Sequence, residues 1–94
     1  MKLKQKASAK MHRRYLLLAG TDKKVVEKVI LDYVGVLGWA EAVPVFVSEE
    51  GIGDEKLILA VDRKSLEKIR AAFEVCLENI LVLRVSGTLK GLMK

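Results

Sequence analysis

The sequence predicts an α+β domain with the element order β-α-β-β-α-β, folded as a four-stranded antiparallel sheet with two helices on one face. Three observations lead there. Segments 14–20 and 56–61 are apolar without alternation, as strands buried on both faces are. Segments 23–36 and 63–77 instead repeat their apolar residues at helical spacing. Pro44, the single proline, falls within a Val-rich segment that reads as a strand. Proline cannot donate to a ladder, so that strand belongs at a sheet edge.

The first strand is Arg14-Tyr15-Leu16-Leu17-Leu18-Ala19-Gly20, and Thr21 and Asp22 follow with side-chain oxygens suited to a helix N-cap. Val25, Val26, Val29, Ile30, Tyr33, Val34 and Leu37 then recur every three or four residues, so a first helix is expected over 23–36 with those residues in the core. Gly35 and Gly38 are expected to end it. A second strand follows over 39–48, where Trp39 reads as a packing residue rather than a platform for a base. Glu49-Glu50-Gly51-Ile52-Gly53-Asp54-Glu55 reads as an acidic hairpin loop. After the third strand, 56–61, Asp62 is the expected N-cap of a second helix whose inward face is Leu66, Ile69, Phe73 and Leu77. The last strand, 80–85, is broken by Ser86-Gly87-Thr88. Residues 1–13 read as a basic flexible arm, 14–90 as the domain and 91–94 as a short tail. Buried strands one and three with an edge strand two give the spatial order 4-1-3-2. This is the ferredoxin-like arrangement, shared with the common RNA-recognition domain.

Ninety-four residues suit one domain, and 51% hydrophobic composition with only 5% aromatics supplies a core made mainly of Val, Leu and Ile. No apolar run approaches the roughly 18 residues of a membrane span. The N-terminus has three lysines in six residues and no apolar stretch before Tyr15, unlike a secretory signal. Cys76 is the lone cysteine, so no internal disulfide is possible, which suits a reducing compartment. A cytoplasmic protein with no membrane partner is expected.

Catalytic chemistry is hard to assemble from this chain. His12 is the only histidine and stands in the basic arm. No His, Cys or carboxylate group has metal-ligand spacing. Cys76 beside Leu77 reads as a packed thiol, and Gly51-Ile52-Gly53 lacks the strand before it and the helix after it that a dinucleotide loop needs. No catalytic residue, metal or protein-bound cofactor is expected.

The net charge of +5 is unevenly placed. Lys2, Lys4, Lys6, Lys10, Arg13 and Arg14 crowd the first fourteen residues with no acid among them, and Arg84, Lys90 and Lys94 repeat that pattern at the other end. Between them, eight basic residues face twelve acidic ones. Cations segregated in this way suit a polyanion, because each Lys or Arg on a phosphate releases a counterion. A basic extension can also serve solubility alone. The Ser86-Gly87-Thr88 turn, flanked by Arg84 and Lys90, has hydroxyls and amides that suit a phosphate, or it simply ends a strand. The outer sheet face is aliphatic rather than aromatic, so it lacks the stacking surface of the RNA-recognition domain. Left open to water it would mark a protein interface, unless the chain's own tail covers it.

Three stretches together resemble a known family. Arg14-Tyr15-Leu16 opens strand one; Gly38-Trp39-Ala40-Glu41-Ala42-Val43-Pro44 matches a Gly-x-Ala-x-Ala-x-Pro lead into strand two; Val85-Ser86-Gly87-Thr88-Leu89-Lys90 matches a Val-Ser-Gly-Thr-aliphatic-basic ending. Asp62-Arg63 opens helix two, and Glu67, Ile69, Arg70 and Ala72 are similar to the family's helix at that place. In order and over roughly 14–90, these resemble ribonuclease P protein component 2 of archaeal type, a small-subunit family with a counterpart in eukaryotic ribonuclease P and MRP. The resemblance implies a noncatalytic RNA-binding subunit that helps fold and activate the catalytic RNA, which removes the 5′ leader of precursor tRNA. It implies magnesium on that RNA, and a TIM-barrel ribonuclease P subunit as protein partner, with other ribonuclease P proteins and precursor tRNA as further contacts. Lys2, Lys4, Lys6, Lys10, Arg13, Arg14, Arg84, Ser86, Thr88 and Lys90 are then the expected RNA-binding residues. Two alternatives share the topology: a small-molecule regulatory module and a purely structural assembly subunit.

Overall fold

Two central strands organise the chain, which is described over residues 12–48 and 55–92 in a computed structural model. Strand β1 (Arg13–Ala19) pairs antiparallel with β3 (Lys56–Asp62), from Arg13 opposite Asp62 to Ala19 opposite Lys56. On its other side β1 pairs with β4 (Leu81–Ser86), Tyr15 standing opposite Ser86. That register slips by one between Leu17 and Leu18, which face Arg84 and Val82, so Leu83 bulges out of the ladder. A short β2 (Val45–Val47) completes the sheet on the far side of β3. The order β2-β3-β1-β4 is the expected ferredoxin-like one, with the two apolar strands at the centre and strand two at an edge.

One sheet face is closed by helix α1 (Lys23–Ala42) and by helix α2 (Leu66–Val75), which follows a 3-10 turn over Arg63–Ser65. Leu16, Leu18, Leu59 and Val61 pack there against Val26, Val29, Ile30, Ile69 and Phe73. Asp22 caps α1 as expected, its Oδ1 accepting the Val25 amide at 3.0 Å. Asp62 precedes the 3-10 turn but makes no side-chain cap bond.

The helix ends differ from the expectation. Gly35 does not stop α1; it kinks it, at φ 75° and ψ 178°, a conformation open essentially to glycine. The helix then resumes to Ala42, so residues 39–42 are helical and the edge strand shrinks to three residues. Trp39 therefore lies on the last turns of α1, half-buried against the core, and Pro44 lies between helix and strand. The kink also rotates the outgoing segment. Leu37, expected in the core, is 80% exposed there, while Gly38 is buried under Val34; Tyr33, ahead of the kink and also expected in the core, is 48% exposed where it lines the groove between the two helices. Leu77, expected on the inner face of helix two, is 99% exposed because α2 ends at Val75 and Cys76 turns extended.

Val43 ends α1 in the left-handed region, φ 46° and ψ 58°, with its amide donating to the Trp39 carbonyl at 2.9 Å. A β-branched residue is costly there. Val43→Gly is therefore expected to stabilise the fold by about 0.5–1 kcal/mol, the relieved strain exceeding glycine's entropy cost. Urea denaturation reads this directly, and a lowered midpoint would contradict it.

The sheet's second face is partly covered as well. Ile58 and Ala60 alternate with the inward Leu59 and Val61, yet are only 1% and 2% exposed. Residues 89–92 form a short helix α3 (Leu89–Leu92) that packs on β4 and β1. Gly91 lies directly against Ser86, which stands across from the outward Tyr15, so α3 sits on this outer face. Leu92 is 1% exposed there, which extends the folded domain past the expected boundary at residue 90. Helix α3 thus covers part of the aliphatic outer face, while Val45, opposite Ala60, and Leu81, opposite Ala19, stay 44% and 50% exposed. Residues 1–11, which include most of the basic arm, and 49–54 of the acidic loop lie outside the described residues.

Candidate nucleic-acid interface

Antiparallel pairing decides which cations meet. Because β1 starts where β3 and β4 end, residues 12–14, 62–64 and 86–90 gather at one end of the sheet. The contacts run continuously across it. The Arg63 amide donates to the His12 carbonyl at 2.8 Å. The Arg14 guanidinium lies beside Gly87, 3.3 Å from where a Cβ there would stand. Gly91, next to Lys90, leans on Ser86 and Thr88. His12, Arg13, Arg14, Arg63, Lys64 and Lys90 therefore share one rim.

Among the described residues, no acid forms an ion pair with Arg13, Arg14, Arg63, Lys64 or Lys90. Arg13 Nη1 donates to the Val43 carbonyl at 3.4 Å, and Arg14 Nη1 to the Arg13 carbonyl at 3.2 Å. Asp62 stands opposite Arg13 in the ladder, yet the two form no ion pair. The ion pairs among the described residues, Lys28–Asp32 and Lys68–Glu41, lie elsewhere. Arg63, Lys64 and Lys90 are exposed.

The Ser86-Gly87-Thr88 turn has internal work. Ser86 Oγ accepts the Thr88 amide at 3.2 Å, and Thr88 Oγ1 accepts the Gly91 amide at 3.0 Å. Both hydroxyls thus shape the step from β4 into α3. Gly87 leaves room for Arg14. Arg84 lies further along β4, opposite Leu17, and takes part in its own interaction. Of the expected binding residues, the fold brings Arg13, Arg14, Ser86, Thr88 and Lys90 together, while Lys2, Lys4, Lys6 and Lys10 lie outside the described residues.

Arg63 and Lys64 were not singled out as binding residues by sequence, because they belong to a stretch that sums to negative charge. A usable signal existed. Once strands one and three are antiparallel neighbours, whatever follows strand three must lie beside whatever precedes strand one.

Elsewhere, a groove of about 400 Å³ runs between α1 and α2, lined by Tyr33, Val34, Lys68, Ala71, Ala72 and Val75. Its one cation, Lys68, is held by Glu41 at 3.1 Å. Cys76 Sγ stays within hydrogen-bond reach of the Phe73 and Glu78 carbonyls. Among the described residues, no group of three or more His, Cys, Asp or Glu could hold a metal ion. Among the same residues, no helix is long and apolar enough to cross a membrane. Compared with known proteins, the chain matches no family model and no curated protein.

Proposed function

We propose that this chain is a noncatalytic, cytoplasmic RNA-binding subunit of ribonuclease P, helping fold and activate the catalytic RNA that removes the 5′ leader of precursor tRNA. The observation that carries the reading is the rim of cations without an acid partner among the described residues, built from the start of β1, the corner after β3 and the turn after β4. The resemblance over 14–90 adds the identity of the RNA. Folding a catalytic RNA packs phosphates together, and a cationic rim together with a lysine-rich N-terminal segment relieves that repulsion without reading sequence. The metal chemistry belongs to the RNA, with magnesium bound there.

A TIM-barrel ribonuclease P subunit is the proposed protein partner. Exposed apolar residues on the helical side (Val36, Leu37, Val75 and Leu77) and on the β4 edge (Leu81 and Leu83) are available to it. The α1–α2 groove is the feature that favours the small-molecule alternative, being of ligand size, although its polar groups are few.

The test is binding to the ribonuclease P RNA of the same source against an unrelated structured RNA of equal length, across a salt series. Tighter binding to the former at physiological salt, with log K falling by about 0.7–0.9 per decade of salt for each phosphate contact, is the expected result. Negligible RNA affinity, with and without the partner subunit, would overturn the reading.

A further inference from the structure

We propose that the basic rim is a binding site for the phosphate backbone of double-helical RNA, in which Arg63 and Lys64 are contact residues equal in weight to Arg13, Arg14 and Lys90. This rests on the RNA-binding reading and narrows it to one structural class of RNA.

Single-stranded RNA is held by stacking its bases on exposed aromatic rings along a basic track. This chain has five aromatic residues, and none offers such a platform at the rim. Phe73 is buried, and Trp39 and Phe46 pack against the core, Phe46 beneath the Lys23 ammonium at 5.8 Å. Tyr15 is half-buried on the outer face, in register between Ala60 and Ser86. Tyr33 is exposed, but it lines the α1–α2 groove. The sheet face on which related topologies splay bases is closed at Ile58, Ala60 and Leu92.

What remains is charge on a rigid frame. The ends of β3, β1 and β4 lie side by side, and neighbouring strands are about 4.8 Å apart, so the rim carries its cations over roughly 10 Å. A duplex presents roughly twice the charge per length of axis of either of its strands alone, about one charge per 1.7 Å in DNA. A short, fixed row of cations without stacking partners therefore gains most from a duplex. It also gains nothing from base identity, because phosphates carry no sequence information.

The experiment measures binding of the full chain to a 20-base-pair RNA duplex, to a second duplex of scrambled sequence, and to an unstructured single strand of equal length. It repeats the series with the double variant Arg63→Glu/Lys64→Glu. Both side chains are exposed and make no ion pair among the described residues, and a melting curve confirms that the variant folds. The two duplexes should bind equally and about tenfold or more tighter than the single strand. The double variant should lose at least about thirty-fold on duplex at 0.15 M salt, since two phosphate contacts are removed. Single-strand binding as tight as duplex, with the variant still weakened, would overturn the duplex assignment and leave RNA binding standing. An unchanged variant would place the RNA on the N-terminal arm and overturn the site. No binding to any of the three RNAs would overturn both the site and the RNA reading.

Discussion

Replacing Leu92 with Ala should lower the unfolding free energy by about 2–4 kcal/mol, the range for emptying a fully buried leucine site. The size is unexpected for a residue only two places before Lys94. Helix α3 has only four residues, far too few for a helix to hold itself together in water. Its local supports are the Gly91 amide on Thr88 Oγ1 and the Leu92 amide on the Thr88 carbonyl at 3.2 Å. Leu92 is the anchor that makes those bonds worth forming. Without it the segment should peel away and wet the outer face beside β1 and β4, so increased binding of a hydrophobic dye should accompany the lower melting temperature. Leu77→Ala is the matched control, the same chemistry at a site that is 99% exposed, and should stay within about 0.5 kcal/mol. Equal effects from the two variants would sink the account of the outer face.

The second large effect concerns binding alone. Changing Lys2, Lys4, Lys6 and Lys10 together to Ala should weaken RNA binding by about 10²–10³-fold at 0.15 M salt, and should reduce the slope of log K against log salt by about 3–4. Stability should not move if these lysines belong to a flexible arm, as the sequence reads. Both readouts are needed. A loss of affinity with an unchanged slope would mean that the arm contributes something other than phosphate contacts. A loss of folding would place the arm inside the domain. Combined with Arg63→Glu/Lys64→Glu, the losses should add in log K if arm and rim hold separate phosphates.

The sheet was legible in the sequence because burial leaves a direct trace there. Leu16-Leu17-Leu18 and Leu57-Ile58-Leu59 are apolar on successive residues, which only a strand covered on both sides tolerates, and both strands are central. The helix ends were less legible. Gly35 and Gly38 look like stop signals, but a glycine at positive φ can redirect a helix and let it continue. Only the packing of Val34 over Gly38 distinguishes the two cases, and that contact exists after folding alone. Leu77 failed for a related reason. Its spacing continues the inner face of α2, but the helix has already ended when the chain reaches it.

Half of the rim could be read from charge runs at the two ends of the chain. The other half, Arg63 and Lys64, could not, since net charge summed along the sequence averages over residues that the sheet pulls apart. Strand pairing, rather than sequence distance, sets which charges repel or cooperate here.

The same pairing has a practical consequence for anyone attaching something to this molecule. His12 lies at the cationic rim, while Ser48 and Glu55 bracket the β2–β3 connection at the opposite pole of the sheet. A fluorophore or surface tether attached at His12 would stand beside the very surface being assayed. A label grafted between Ser48 and Glu55 would leave that surface clear.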